Sequence, residues 1–222
     1  MAIINEVNGD ILIKIVYAGI SGSGKSTNLQ SIYKQTSSDV SSRFFDLHGL
    51  ETRHPYFDFL PLACSHIRSQ NVRLHLYTLP ALDLWDTLAR QLLRGIDGLV
   101  WVVDSRVENL ERNEDHLEKL SKQLNDVGTG IGNHATVIQF NHRDSERAAS
   151  IGALKAAFQL RGAMQIDSIA VQDIGVLETL NALCELVLGR MDSLPIHHDR
   201  LELRSRNFGA NGHQGSMLGD AP

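Results

Sequence analysis

Gly19-Ile20-Ser21-Gly22-Ser23-Gly24-Lys25-Ser26 comes directly after the apolar run Ile11–Ala18, and this junction decides the fold. The pattern G-x-x-x-x-G-K-[ST], set between a strand and a helix, makes a phosphate-cradling loop. Its glycines let successive backbone N–H groups turn inward as an anion nest at the positive end of a helix. Lys25 then reaches the β- and γ-phosphates of a nucleotide, and the Ser26 hydroxyl ligates Mg²⁺.

Working outward, strands and helices alternate. Leu29, Ile32 and Tyr33 mark a helix after the loop by their i, i+3, i+4 spacing. Residues 37–55 are polar and aperiodic, and read as a long mobile loop. Tyr56–Ala63 and Asn71–Thr78 read as two strands of a hairpin joined through residues 64–70, and Pro61 puts the first at a sheet edge. Leu84, Trp85, Leu88 and Leu92 predict a helix, and Gly98–Asp104 a core strand of near-continuous apolar residues. Leu117, Leu120 and Leu124 define the next helix, with a strand after it over Ala135–Asn141. A short helix carries Leu154, Ala157 and Phe158; Ile166–Val171 is the last strand. The final helix bears Val176, Leu180, Leu183 and Val187 and stops at Gly189. Six strands with crossover helices specify an α/β three-layer sandwich with a mostly parallel sheet. Residues 1–190 are expected to form the nucleotide-binding domain and 191–222 a disordered tail, since the chain turns polar and Gly/Asn/Ser-rich beyond Pro195.

Composition bounds the function. The 222 residues are 42% hydrophobic and 21% charged, enough for one good core. A net charge of −5 gives no electrostatic reason to expect nucleic acid or an acidic membrane as partner. Nothing approaches 18 uncharged apolar residues, so no integral membrane segment is expected. Cys64 and Cys184 lie in apolar surroundings, which suits a reduced, cytoplasmic setting. His197-His198 lacks the further ligands of a metal site.

Ligands of such sheets bind at the carboxyl ends of the strands. The phosphate loop, Thr78–Leu82, Asn141–Asp144 and Ala170–Asp173 all fall there. In Asn141-His142-Arg143-Asp144 the aspartate can accept two hydrogen bonds, from guanine N1–H and its exocyclic amine; adenine has no matching pair of donors. Sites built on such bonds discriminate strongly, on the order of 10⁴-fold in favourable cases. Asn141 can tie the base segment to the phosphate loop, and His142 can stack on the base. The candidate nucleotide set is Gly19, Ser21, Gly22, Ser23, Gly24, Lys25, Ser26, Thr27, Thr78, Asn141, His142, Asp144 and Ala170, with GTP/GDP and Mg²⁺ as cofactors.

With these residues in place, the chain resembles the small Ras-like GTPases, and specifically the bacterial MglA-type gliding-motility GTPases. The resemblance runs from about residue 3 to residue 189. It rests on Lys14-Ile15-Val16-Tyr17, Lys25-Ser26-Thr27-Asn28-Leu29-Gln30-Ser31-Ile32-Tyr33, Phe57-Asp58-Phe59-Leu60-Pro61-Leu62 and His75-Leu76-Tyr77-Thr78-Leu79-Pro80. Gly95-Ile96-Asp97-Gly98 and Val103-Asp104-Ser105 extend it. The resemblance implies a GTP/GDP switch governing cell polarity or motility, a roadblock-fold GTPase-activating partner, effector proteins, and placement at a cell pole through them.

The chain departs from that pattern where GTP is cleaved. The family's switch II Pro-Gly-Gln is Pro80-Ala81-Leu82 here, and leucine cannot orient the attacking water. A positioned polar group of this kind contributes about 3–4 kcal/mol to the transition state. Ser21 replaces the glycine beside the γ-phosphate. Switch I Asp-Arg-Thr reads Thr52-Arg53-His54: Arg53 matches the family's internal arginine finger and is the candidate catalytic residue, while imidazole is a poor ligand for Mg²⁺. Thr52 is the candidate replacement ligand after a two-residue shift, and His142 stands for the lysine of the base motif. Groups that hold nucleotide are kept and groups that cleave it are lost. The favoured expectation is a slowly hydrolysing GTP switch. A pseudo-GTPase scaffold and an ATP-dependent small-molecule kinase are the alternatives.

Overall fold

The computed structural model describes residues 3–5, 10–36, 45–48, 55–67, 70–80, 86–160 and 163–190. In chain order the strands are β1 (Ile3–Asn5), β2 (Asp10–Ala18), β3 (Phe45–His48), β4 (Pro55–Ile67), β5 (Gln70–Thr78), β6 (Gly98–Asp104), β7 (Ala135–Asn141) and β8 (Met164–Asp167). The helices are α1 (Lys25–Thr36), α2 (Asp86–Leu93), α3 (Leu110–Asp126), α4 (Ile151–Ala157) and α5 (Val176–Arg190).

All strands join one sheet in the order β3-β4-β5-β2-β6-β7-β8, with β1 on β2. The pairings β5–β2, β2–β6, β6–β7 and β7–β8 are parallel; β3–β4, β4–β5 and β1–β2 are antiparallel. From β2 the chain winds first toward β5 and then, through β6, toward β8. The crevice between β5 and β6, at the carboxyl end of β2, is therefore the topological switch point, where open α/β sheets bind ligands.

Both faces of the sheet are covered, so the central strands β6 and β7 are buried along their whole length. Ile13, Ile15 and Tyr17 pack on one face with Leu29 and Ile32 of α1 and Leu180 and Leu183 of α5. Val16 and Ala18 point the other way, with Leu92 and Leu93 of α2, Leu120 and Leu124 of α3 and Leu154 of α4. Trp101 meets Phe158 edge-on at 5.3 Å on that second face. The hairpin β4–β5 is pinned across its strands by the stacked rings of Phe59 and Tyr77, 4.8 Å apart at directly opposed positions.

The six expected strands are all present, with changed limits. The hairpin strands run to Ile67 and from Gln70, so most of the expected joint 64–70 belongs to the strands. The four residues of β3 form a strand inside the expected loop 37–55, because they pair with Pro55–Phe59 of β4; four residues are too few for a period to show. Pro61 lies past the end of the β3 pairing, where β4 is an edge among the described residues. β1 is a further strand without a sequence signal: it pairs with Asp10–Leu12, below the point where β6 joins β2 at Ile15. The last strand ends at Asp167 rather than Val171, because Ala170 N–H is drawn off to the Asn141 side chain (3.0 Å) and the chain enters a 3₁₀ turn over Ala170–Gln172. α5 continues through Gly189 to Arg190, whose guanidinium bonds Asn133 O at 2.7 Å. Leu84, Trp85 and the tail from residue 191 lie outside the described residues.

Two buried polar atoms give measurable consequences. The Tyr17 hydroxyl is fully buried with no hydrogen-bond partner among the described residues, and burial pushes its pKa up. Tyr17→Phe removes an unsatisfied donor and is expected to leave stability unchanged or raise it by about 1 kcal/mol in urea unfolding; a comparable loss would show that the hydroxyl is bonded. His116 of α3 has a buried Nδ1 with no hydrogen-bond partner among the described residues, and burial, with Lys25 and Lys119 adding to it, pulls its pKa down to about 3. A histidine depressed in the folded state contributes stability above its unfolded pKa and loses it as pH falls from about 6.5 toward 3. Between pH 7 and pH 5 the native chain should lose about 2 kcal/mol more than His116→Gln. Equal losses in the two proteins would exclude a neutral buried imidazole.

Candidate functional site

The phosphate loop begins where β2 ends. Ser23 N–H donates to Ile20 O (3.2 Å) and Asn28 N–H to Gly24 O (3.0 Å), which bend residues 20–24 into the first turn of α1. Gly24 has φ +100°, and a Cβ there would collide with Asn141 Nδ2. A Cβ at Gly19 would likewise run into Val102 O and Ser23 Oγ. These two glycines are thus required by close approach and not only by backbone freedom. Ser23 Oγ is buried with no partner among the described residues, Ser21, Gly22 and Ser26 are exposed, and Thr27 is half-buried. A glycine-rich turn with a spare buried hydroxyl, at the start of a helix of 12 residues, fits a polyphosphate.

Lys25 is buried, and its ammonium donates to Gly19 O (2.8 Å) and Ile20 O (2.9 Å). Burial draws its pKa down to about 8, opposed by the nearby Asp58 carboxylate. Asp58 is the residue that sequence reasoning missed. It is buried in β4, accepts from Thr78 Oγ1 at 2.9 Å, and its backbone N–H donates to that same hydroxyl at 2.7 Å. Its place could have been read from the period of two: position 58 shares the inward face with the buried Leu60 and Leu62. Asp58, Thr78 and Ser26 offer hard oxygen donors beside the phosphate loop, the chemistry Mg²⁺ prefers. Among the described residues no group of three or more His, Cys, Asp and Glu is arranged to hold a metal, so phosphate oxygens and water would have to complete such a shell.

The base segment is fastened to this loop from the other side. Asn141 Nδ2 donates to Ser23 O (2.8 Å), while Asn141 Oδ1 accepts from Ser168 Oγ (3.1 Å) and Ala170 N–H (3.0 Å). One buried side chain therefore joins β7, the phosphate loop and the turn after β8. His142 has φ +61°, an uncommon left-handed conformation for a side-chain-bearing residue, and its Nε2 lies 2.9 Å from Gly22 O. That contact places its ring against the phosphate loop. Asp144 is exposed and accepts no hydrogen bond among the described residues. A second layer lies beneath: Asn28 and Gln139 exchange two amide hydrogen bonds of 2.9 Å, and Gln139 also donates to Thr179 Oγ1 at 3.0 Å. This buried chain links α1, β7 and α5 under the loop. Thr52, Arg53, His54, Ala81 and Leu82 lie outside the described residues.

No protein-family model matches the chain. It is similar to the "Mutual gliding-motility protein MglA" of Myxococcus xanthus (strain DK1622), with 37% identity over 188 residues. That alignment covers 85% of this chain and 96% of the relative. At this identity and coverage, and with a phosphate loop at the switch point of the sheet, the chain belongs to the MglA-type family of small Ras-like GTPases.

Proposed function

We propose that this protein is a guanine-nucleotide switch of gliding motility or cell polarity that binds GTP and GDP with Mg²⁺ and hydrolyses GTP slowly on its own. The observation that carries the reading is Asn141, whose amide bridges the phosphate loop and the base segment and so fixes the two halves of a nucleotide site relative to each other. Gly19, Ser21, Gly22, Ser23, Gly24, Lys25, Ser26 and Thr27 hold the polyphosphate. Asp144 selects guanine, with His142 and Ala170 flanking the base. Ser26 ligates Mg²⁺ directly; Thr78 and Asp58 support its shell, and Thr52 supplies a further ligand. The motility role rests on the similarity to the gliding-motility protein of Myxococcus xanthus.

Slow hydrolysis is inferred from the pattern of substitution. Leu82 offers no amide to a water, and His54 offers nitrogen where the metal takes oxygen. Arg53 remains as the charge stabiliser, so acceleration depends on a roadblock-fold activating partner that sets switch I and II in place. Effectors then read the GTP state, and through them the protein is recruited from the cytoplasm to a cell pole. No described helix is long and apolar enough to cross a membrane.

Two measurements test this. In competition against fluorescent GDP, unlabelled GTP and GDP should displace the probe while ATP and ADP do not. Asp144→Asn should weaken GDP at least about tenfold and leave ADP unchanged; equal purine affinities in the native protein would instead favour an ATP-dependent enzyme. In a single-turnover assay, GTP should outlast the time that an activated GTPase needs by about 10²-fold or more. Bound GTP carried through purification agrees with that, whereas fast turnover by the protein alone excludes it, and an empty site favours a scaffold.

A further inference from the structure

Gln139 interrupts the apolar run of β7 on the face it shares with Val137, and it is fully buried. Asn28 of α1 and Thr179 of α5 lie against it, also without exposed surface. Buried polar side chains are costly unless they are bonded, and these are. Gln139 Oε1 accepts from Asn28 Nδ2 and Gln139 Nε2 donates to Asn28 Oδ1, both at 2.9 Å. The hydrogens left over point outward. Gln139 Nε2 donates to Thr179 Oγ1 at 3.0 Å, and Asn28 Nδ2 donates to Gly24 O at 2.9 Å.

The polarity of this chain of bonds has a single solution. Thr179 donates its one hydroxyl proton to Gly175 O at 2.6 Å, so toward Gln139 it can only accept. Gly24 O, at the other end, is a carbonyl and also only accepts. Turning either amide over would set oxygen against oxygen, so backbone carbonyls at the two ends fix both orientations. Gly24 O receives a second bond, from the Asn28 backbone N–H at 3.0 Å. The Gly24–Lys25 peptide is trans and planar, so its N–H points away from its carbonyl. With that carbonyl held on the Asn28 side, the Lys25 N–H is aimed out of the end of α1, where the first donors of a helix meet an anion.

We propose that Gln139 is a positioning residue for polyphosphate binding: through Asn28 it holds the Gly24 carbonyl in place and keeps the Lys25 N–H turned to the phosphates. Its own hydrogen bonds go to Asn28, Thr179 and, at 3.5 Å, Gly175 O, so it acts on the loop at one remove. The proposal rests on the reading of residues 19–26 as the polyphosphate-binding loop.

The test follows release of fluorescent GDP from the full chain with Mg²⁺, after a chase of unlabelled GDP. If the native chain binds no GDP, the nucleotide reading fails before this one is reached. Given binding, Asn28→Leu/Gln139→Met should release GDP about tenfold faster than native. The two apolar side chains strand no backbone carbonyl, since Gly24 O keeps the residue 28 N–H and Gly175 O keeps the Thr179 hydroxyl. Replacing both partners of a buried hydrogen bond in this way is close to neutral for stability. Bound molecules are folded, so a purely structural role leaves the release rate at the native value, and that result overturns the proposal. Inosine diphosphate, which lacks guanine's exocyclic amine, locates the effect. Its affinity relative to GDP should be the same in the variant as in the native chain. A ratio moved toward one would route the loss through the neighbouring Asn141–Asp144 segment and overturn the proposal. Should the double variant not fold, Thr179→Val decides. Among the described residues the Thr179 hydroxyl bonds Gln139 and Gly175 and nothing in the loop. The roughly threefold faster release expected of Thr179→Val therefore passes through Gln139. Release at the native rate would overturn the proposal.

Discussion

The contact between Asn141 and the phosphate loop constrains much of its surroundings. Its amide donates to Ser23 O from inside van der Waals range of Gly24, so the loop can close over it only if residue 24 has no side chain. The same side chain accepts from Ala170 N–H, and that bond draws the chain away from β7 and ends β8 after four residues. A short eighth strand, a glycine at position 24 and a fixed distance between the two ends of the site are thus consequences of one buried amide. Buried amides of this kind carry weight because each unmade hydrogen bond costs about 1–3 kcal/mol. Once all are made, the site has one arrangement.

The layer under the loop works by the same rule. Asn28, Gln139 and Thr179 each sit where a hydrophobic core would ordinarily continue, and each is bonded to the others or to the backbone. They tie the first turn of α1 to β7 and to α5. Lys25 adds a charge to this environment, held by two carbonyls of its own loop and lowered in pKa by burial. An ammonium in that state is aimed and only partly compensated, which favours an incoming polyanion over water.

The central sheet was legible because its information is local. Ile11–Ala18, Gly98–Asp104 and Ala135–Asn141 are continuous apolar runs bounded by turns, and the glycine-lysine-serine loop commits the chain to a helix after the first of them. The illegible part is pairwise. β3 exists only through its register with β4, and β1 only through the space left beside β2. Asp58 has no motif of its own, and its meaning appears when β4 lies against β5 and brings it to Thr78, 20 positions away. Asn28 and Gln139 are 111 residues apart, a separation at which no period or spacing carries information. At the candidate site, Asn141 and His142 contact the phosphate loop, while the residues beneath them were invisible until the strands were ordered.

That division bears on how firmly the candidate site is tied to the fold. The groups around Asn141, Lys25 and Asp104 are buried, interlinked and bonded to one another, so substitution at any of them leaves a donor or acceptor stranded and destabilises the fold as well as the site. The grip on the phosphate loop is therefore built into the packing of the sheet, and it cannot be altered at one of these side chains without cost to the fold.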